Sequence, residues 1–190
     1  AFIKKYYQSI GKRYNKILYN PNEAGKDNAG YTSCIYVASS AFDGELKEKY
    51  KKEEYEKVIQ VGTALTGQRI NADYFDNEGC NISDKNKQYC ELTGLYWIWK
   101  HAKEDYVGLA HYRRHFLLPQ NWLDIVKNQN IDVILPVPLY VSPSLVENYC
   151  DRHVAEDWNI LMEYVYKNNN SEYEKINLFF EGNLYSPCNM

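Results

Sequence analysis

Short apolar runs alternate along this chain with longer stretches of helical periodicity. "YTSCIYVAS" (31–39), "VIQVG" (58–62), "DYVGLAHYR" (105–113) and "DVILPVP" (132–138) are nearly continuous apolar runs rich in β-branched and aromatic residues. Strands buried on both faces read this way, so the pattern predicts central strands over 33–38, 106–112 and 132–136. Between them, "QYCELTGLYWIWKHA" (88–102) carries Leu92, Leu95, Tyr96 and Trp99 at helical spacing, read as one apolar stripe. Further helices are predicted over 121–130, over 143–169 as one or two pieces, and near 171–181. The charged segment 41–57 reads as a partly helical connection, and 72–86 as a long polar loop. Strands that alternate with helices predict an α/β fold with a mostly parallel central sheet flanked by helices. Residues 1–30, rich in Tyr and Lys, read as a short helix and a linker ahead of one domain spanning 31–190.

Composition narrows the function classes. A net charge of −3 over 190 residues offers no global basic field, which argues against nucleic acid. The five cysteines (34, 80, 90, 150 and 188) are odd in number and form no C-x-x-C, so neither a disulfide framework nor a zinc knuckle is expected. No run of about 18 apolar residues exists to span a membrane. Together these predict a cytoplasmic domain. The 19 tyrosines suit stacking on sugars or bases, and suit ordinary packing equally.

Candidate chemistry gathers at three places. "HYRRH" (111–115) follows directly on a predicted strand, and ligands in open α/β sheets bind beyond the carboxyl ends of the strands. In an extended chain His111, Arg113 and His115 point one way, while Tyr112 and Arg114 point the other. Arginine forks there suit a phosphate or carboxylate, and their charge disfavours a metal at His111 and His115. The polar loop offers Asp76, Asn81, Ser83 and Asn86, of which Ser83 also reads as a helix cap. Glu91 falls beside the apolar stripe, where a carboxylate needs a partner. An arginine of the cluster is the expected one, and a catalytic base is the sharper alternative. His153 and Asp157, four apart, share a face if they lie on one helix.

Several segments together resemble one bacterial family. They are "VIQVGTALTG", "DNEGCNISDKNKQYCELTGLYWIWKH", "DYVGLAHYRRHF", "DVILPVP", "YCDRHVAED" and "SPCNM". That family was long catalogued as a domain of unknown function. Its members are described as capsular and exopolysaccharide glycosyltransferases, some of them linked to galactofuranose transfer. The resemblance runs over residues 33–190. Its most specific blocks are N-I-S-x-K-N-x-x-Y-C-E-L-T, here Asn81 to Thr93, and G-L-x-H-Y-R-R, here Gly108 to Arg114. Departures exist. A His-Lys pair common after the first strand is replaced by Ser40-Ala41, and the Gly-Asp before N-I-S is Gly79-Cys80. Relatives continue beyond Asn189-Met190, so the chain is expected to lack C-terminal elements of the family.

The resemblance implies a GT-A-like nucleotide-sugar fold and a glycosyltransferase that moves a sugar, galactofuranose or another hexose, from a UDP-sugar. The implied acceptor is a glycan or lipid-linked glycan of capsular, exopolysaccharide or O-antigen type, which would place the protein at the inner face of the cell membrane, in peripheral contact with it. His111, Arg113 and Arg114 would bind the diphosphate, with Asp76, Asn81, Ser83 and Asn86 lining the donor site. Asp157 or Glu91 would act as base, with His111 as a further catalytic candidate and His153 and Asn189 as additional site residues. Cationic side chains would take the place of the metal-binding Asp-x-Asp, so no cofactor is required, while Mn or Mg stays open. A non-catalytic nucleotide-sugar or glycan-binding module is the alternative. A metal-dependent hydrolase using His111, His115, His153 and Asp157 is the third reading.

Overall fold

In the computed structural model, residue 5 and residues 31–46, 50–136 and 138–185 are described. The leader helix expected within 1–30 and the candidate Asn189 lie outside them. Among the described residues, 31–133 form one compact unit, and 134–185 together with residue 5 belong to another.

The first unit is built on a four-stranded, all-parallel sheet in the order β3-β2-β1-β4. The strands are β1 (Ser33–Ser39), β2 (Glu56–Gln60), β3 (Tyr74–Phe75) and β4 (Tyr106–His111). β1 is the spine, with residues 34–38 buried, as its uninterrupted apolar run requires. On one face Cys34, Tyr36, Ala38, Ile59, Val61 and Leu109 pack against Trp97 and Ile98. On the other, Ile35, Val37 and Ala110 meet Tyr55, Tyr112, Phe116 and Leu118. Burial pushes the Cys34 thiol pKa up to about 11, with the Glu104 charge adding to it.

Helical turn α1 (Asn86–Tyr89) and helix α2 (Leu92–His101) replace the single helix expected over 88–102. Cys90, at φ 48, breaks them apart. The covered face of α2 is Thr93, Gly94, Trp97 and Ile98. The stripe read from the sequence is the other face: Leu92 and Leu95 are about half exposed and Trp99 is 70% exposed. Gly94 decides the outcome. Its missing side chain lets the helix approach the sheet, where an added Cβ would lie 2.9 Å from Val61 Cγ1. Helix α3 (Trp122–Asn128) follows β4. The described part of the connection 41–57 contains no helix, because Asp43 folds it into a turn instead.

Segment 132–136 is not a strand. Val133 and Leu135 are both exposed, and Pro136 and Pro138 remove the donors a ladder needs. The second unit holds a two-stranded antiparallel pair, β5 (Leu139–Tyr140) and β6 (Leu184–Tyr185). Helices α4 (Leu145–Cys150), α5 (Ala155–Asn168) and α6 (Asn170–Phe180) accompany it.

Candidate functional site

β2 and β3 lie on one side of β1 and β4 on the other, so the strand order reverses between β1 and β4. The crevice beyond the carboxyl ends at such a point is where α/β sheets bind ligands. A cavity of about 130 Å³ opens there, lined by Ala38, Ser39, Ser40, Asp43, Val61, Asn86, Cys90, Glu91 and His111. It is small beside a typical ligand pocket of about 300–1,000 Å³. It has room for a single chemical group rather than for a whole nucleotide-sized ligand.

His111 ends β4 and is 8% exposed. Its Nδ1 accepts the Arg113 N–H at 3.1 Å, so the proton of the neutral ring sits on Nε2. That nitrogen lies 3.3 Å from Glu91 Oε1. Burial lowers the His111 pKa; Glu91 opposes this, Arg113 and Arg114 reinforce it, and Asp43 opposes it again. His111 is thus neutral at pH 7, with Nε2 beside one oxygen of Glu91. Glu91 pairs with this histidine rather than with an arginine. With 41% of its side chain exposed it is not the buried carboxylate expected.

The chain does not stay extended past His111. Arg114 N–H donates to the His111 carbonyl at 2.8 Å, closing a tight turn over 111–114. This separates His111 from His115, which turns to Glu56 and the Tyr112 carbonyl. Arg113 and Arg114 stand exposed on the turn, outside the cavity lining, and neither is ion-paired to a carboxylate among the described residues. Arg113 lies over the Tyr112 ring at 5.1 Å.

Of the polar-loop candidates, Asn86 reaches the cavity. Its Nδ2 donates to Cys90 O at 2.7 Å and to Thr93 Oγ1 at 2.9 Å, which fixes the break between α1 and α2. Asp76 and Ser83 are not among the residues lining this cavity, and both are fully buried. Asp76 accepts from Gly62 N and Thr63 N, from Ser83 Oγ at 2.5 Å and from Thr93 Oγ1 at 2.7 Å. It is a latch that ties the loop after β2 to the start of α2. Asn81 closes its own loop, donating to Asn77 O and Gly79 O and accepting from Ser83 N.

Asp43 is a cavity residue that sequence reasoning passed over. Its Oδ2 accepts from Ser40 N at 2.6 Å and Ser39 Oγ at 3.1 Å. Its signal was an Asp three residues after a serine at a strand exit, the mark of a side-chain-closed turn.

Asp157 and His153 belong to the second unit. α5 starts at Ala155, so His153 precedes it and the two do not share a helix face. His153 instead stacks on Tyr149, at 4.7 Å between centroids. No group of three or more His, Cys, Asp or Glu among the described residues is arranged to hold a metal. No helix among them is long and apolar enough to cross a membrane.

No curated protein matches the chain. A solved structure, the WbbM bifunctional glycosyltransferase in its apo form, matches with a TM-score of 0.68 and 25% sequence identity. The match covers 84% of this chain and 33% of that one, so this chain spans about a third of that protein's length. The α/β architecture with its parallel central sheet is therefore one that a glycosyltransferase also uses. A family model described as "Domain of unknown function (DUF4422)" matches residues 45–190, and the chain belongs to that family.

Proposed function

We propose that this chain is a glycosyltransferase domain that binds a UDP-sugar at the β1/β4 switch point and passes the sugar, galactofuranose or another hexose, to a hydroxyl of a glycan. The acceptor class that fits the family resemblance is a lipid-linked capsular, exopolysaccharide or O-antigen type glycan. The observation that carries the reading is the pair of guanidiniums, Arg113 and Arg114, without ion-pair partners among the described residues and at the carboxyl exit of a central parallel strand. Fixed positive charge there stabilises the charge that develops on a leaving diphosphate. The cavity beside them carries Asp43 and Glu91, a composition that repels phosphate and suits hydroxyl groups. The diphosphate then lies along the turn, with a sugar or acceptor hydroxyl toward Glu91. Glu91, with one oxygen 3.3 Å from His111 Nε2, takes the acceptor proton.

A non-catalytic nucleotide-sugar-binding module uses the same geometry without turnover. The hydrolase reading loses support from His111 and His115, whose ring nitrogens are all engaged by protein groups.

Calorimetry with UDP in EDTA tests the binding, and mass spectrometry of glycan acceptors incubated with UDP-hexoses tests the transfer. Saturable binding that Arg113→Lys weakens about tenfold, through loss of the two-pronged contact, is expected. Binding that EDTA abolishes, or that Arg113→Ala leaves unchanged, contradicts the diphosphate assignment. Binding without any product assigns the module.

A further inference from the structure

Beneath the arginine turn lies a buried charged group with no place in the scheme above. Glu56, the first residue of β2, is fully buried. Its Oε2 accepts the Tyr50 hydroxyl at 2.9 Å and the Glu53 N–H at 3.0 Å. Its Oε1 lies 2.8 Å from His115 Nδ1. The other ring nitrogen, Nε2, lies 3.2 Å from the Tyr112 carbonyl oxygen. A carbonyl only accepts, so Nε2 carries a proton. Two donors on Oε2 favour the ionised carboxylate, which likewise only accepts, so Nδ1 carries a proton as well. The Tyr50 ring stacks on His115 with centroids 3.6 Å apart, an arrangement that favours a cation.

We propose that His115 is an imidazolium held by buried Glu56, and that this ion pair is a positioning device which sets the Tyr112–Arg114 turn for an anionic ligand. The inference rests on the UDP reading for the identity of the ligand and on geometry for the rest. Three bonds define the turn. Arg113 N–H goes to His111 Nδ1, Arg114 N–H goes to the His111 carbonyl, and the Tyr112 carbonyl goes to His115. The first two reach back to β4, and the third ties the turn to β2 through Glu56. Without a proton on Nε2 the Tyr112 carbonyl is released, and with it the peptide that presents Arg113. His115 is not among the cavity-lining residues and acts through the turn.

Long-range nitrogen-15 NMR counts the ring protons of His115 at neutral pH. Two are expected in the wild type. Glu56→Gln removes the charge and, with its oxygen held by the Glu53 N–H, turns its NH₂ to Nδ1; one ring proton, on Nε2, is expected there, whereas His115→Gln, whose NH₂ is taken by Glu56, drops the Tyr112 bond and is expected to displace the Arg113 amide signal. Calorimetry in EDTA is expected to show UDP affinity reduced about tenfold in His115→Gln while unfolding stays cooperative. A single ring proton in the wild type overturns the proposal, even if neither variant folds. A folded His115→Gln that binds UDP as the wild type does overturns it too. If the wild type binds no UDP, the donor reading fails by itself, and the ring-proton count and the Arg113 amide still decide the ion pair.

Discussion

Replacing Asp76 by Asn isolates what holds the cavity wall in place. The carboxylate accepts four hydrogen bonds, two from backbone N–H groups and two from hydroxyls, in a fully buried site. Hydroxyls can rotate to accept, whereas backbone N–H groups cannot. Whichever way the Asn amide is turned, its NH₂ faces Gly62 N–H or Thr63 N–H, and one buried donor is stranded. That stranding costs about 1–3 kcal/mol, and the two bonds that still reach an oxygen lose their charge assistance, worth about 1 kcal/mol each. The sum is about 3–5 kcal/mol, in the range measured for broken buried charge networks. Ser83→Ala is the control. It removes one donor to Asp76 and the acceptor of Ala64 N–H, at an expected cost of about 1–2 kcal/mol. Urea unfolding followed by tryptophan fluorescence gives both values. A cost below about 1 kcal/mol for Asp76→Asn, or equal costs for the two variants, refutes the latch.

Three further outcomes follow from particular contacts. Gly94→Ala gains about 1 kcal/mol of helix propensity but forces α2 away from Val61, and a net loss of about 1–2 kcal/mol is expected in the same assay. The folded His111 pKa lies below its ordinary 6.5, so the unfolded chain takes up this proton first as pH falls. The His111 contribution to stability is therefore intact above pH 6.5 and declines as pH drops through the window between the two values; His111→Gln should flatten that part of the stability profile. In thiol labelling of the native protein, buried Cys34, with its pKa near 11, stays unmodified while exposed Cys80 and Cys90 react; UDP should slow Cys90, which lines the cavity, and spare Cys80.

The parallel sheet was legible because its strands are buried on both faces, and β1 and β4 fall within a residue of the expected spans. β2 begins earlier than expected, since nothing in the pattern signals that Glu56 is satisfied by His115 and Tyr50. The face of α2 was misassigned because apolarity outranked size: Thr93 and Gly94 face the sheet, one through its bond to Asp76 and the other through its lack of a side chain. At the site, His111, Asn86 and Glu91 were readable as a polar set near a strand exit, and they line one cavity. Asp76 and Ser83 belong to the same polar loop, but their direction depends on the long-range contact with Thr93. No local pattern separates a side chain that reads a ligand from one that holds the loop.

The central claim is that the exits of β1 and β4 form the donor site. A UDP titration followed by ¹H–¹⁵N NMR, in EDTA and at neutral pH, tests it most directly. The account predicts saturable shifts concentrated at Ser39–Ser40, Cys90–Glu91 and His111–Arg114. Shifts confined to residues 135–185, or none at all at saturating UDP, contradict it.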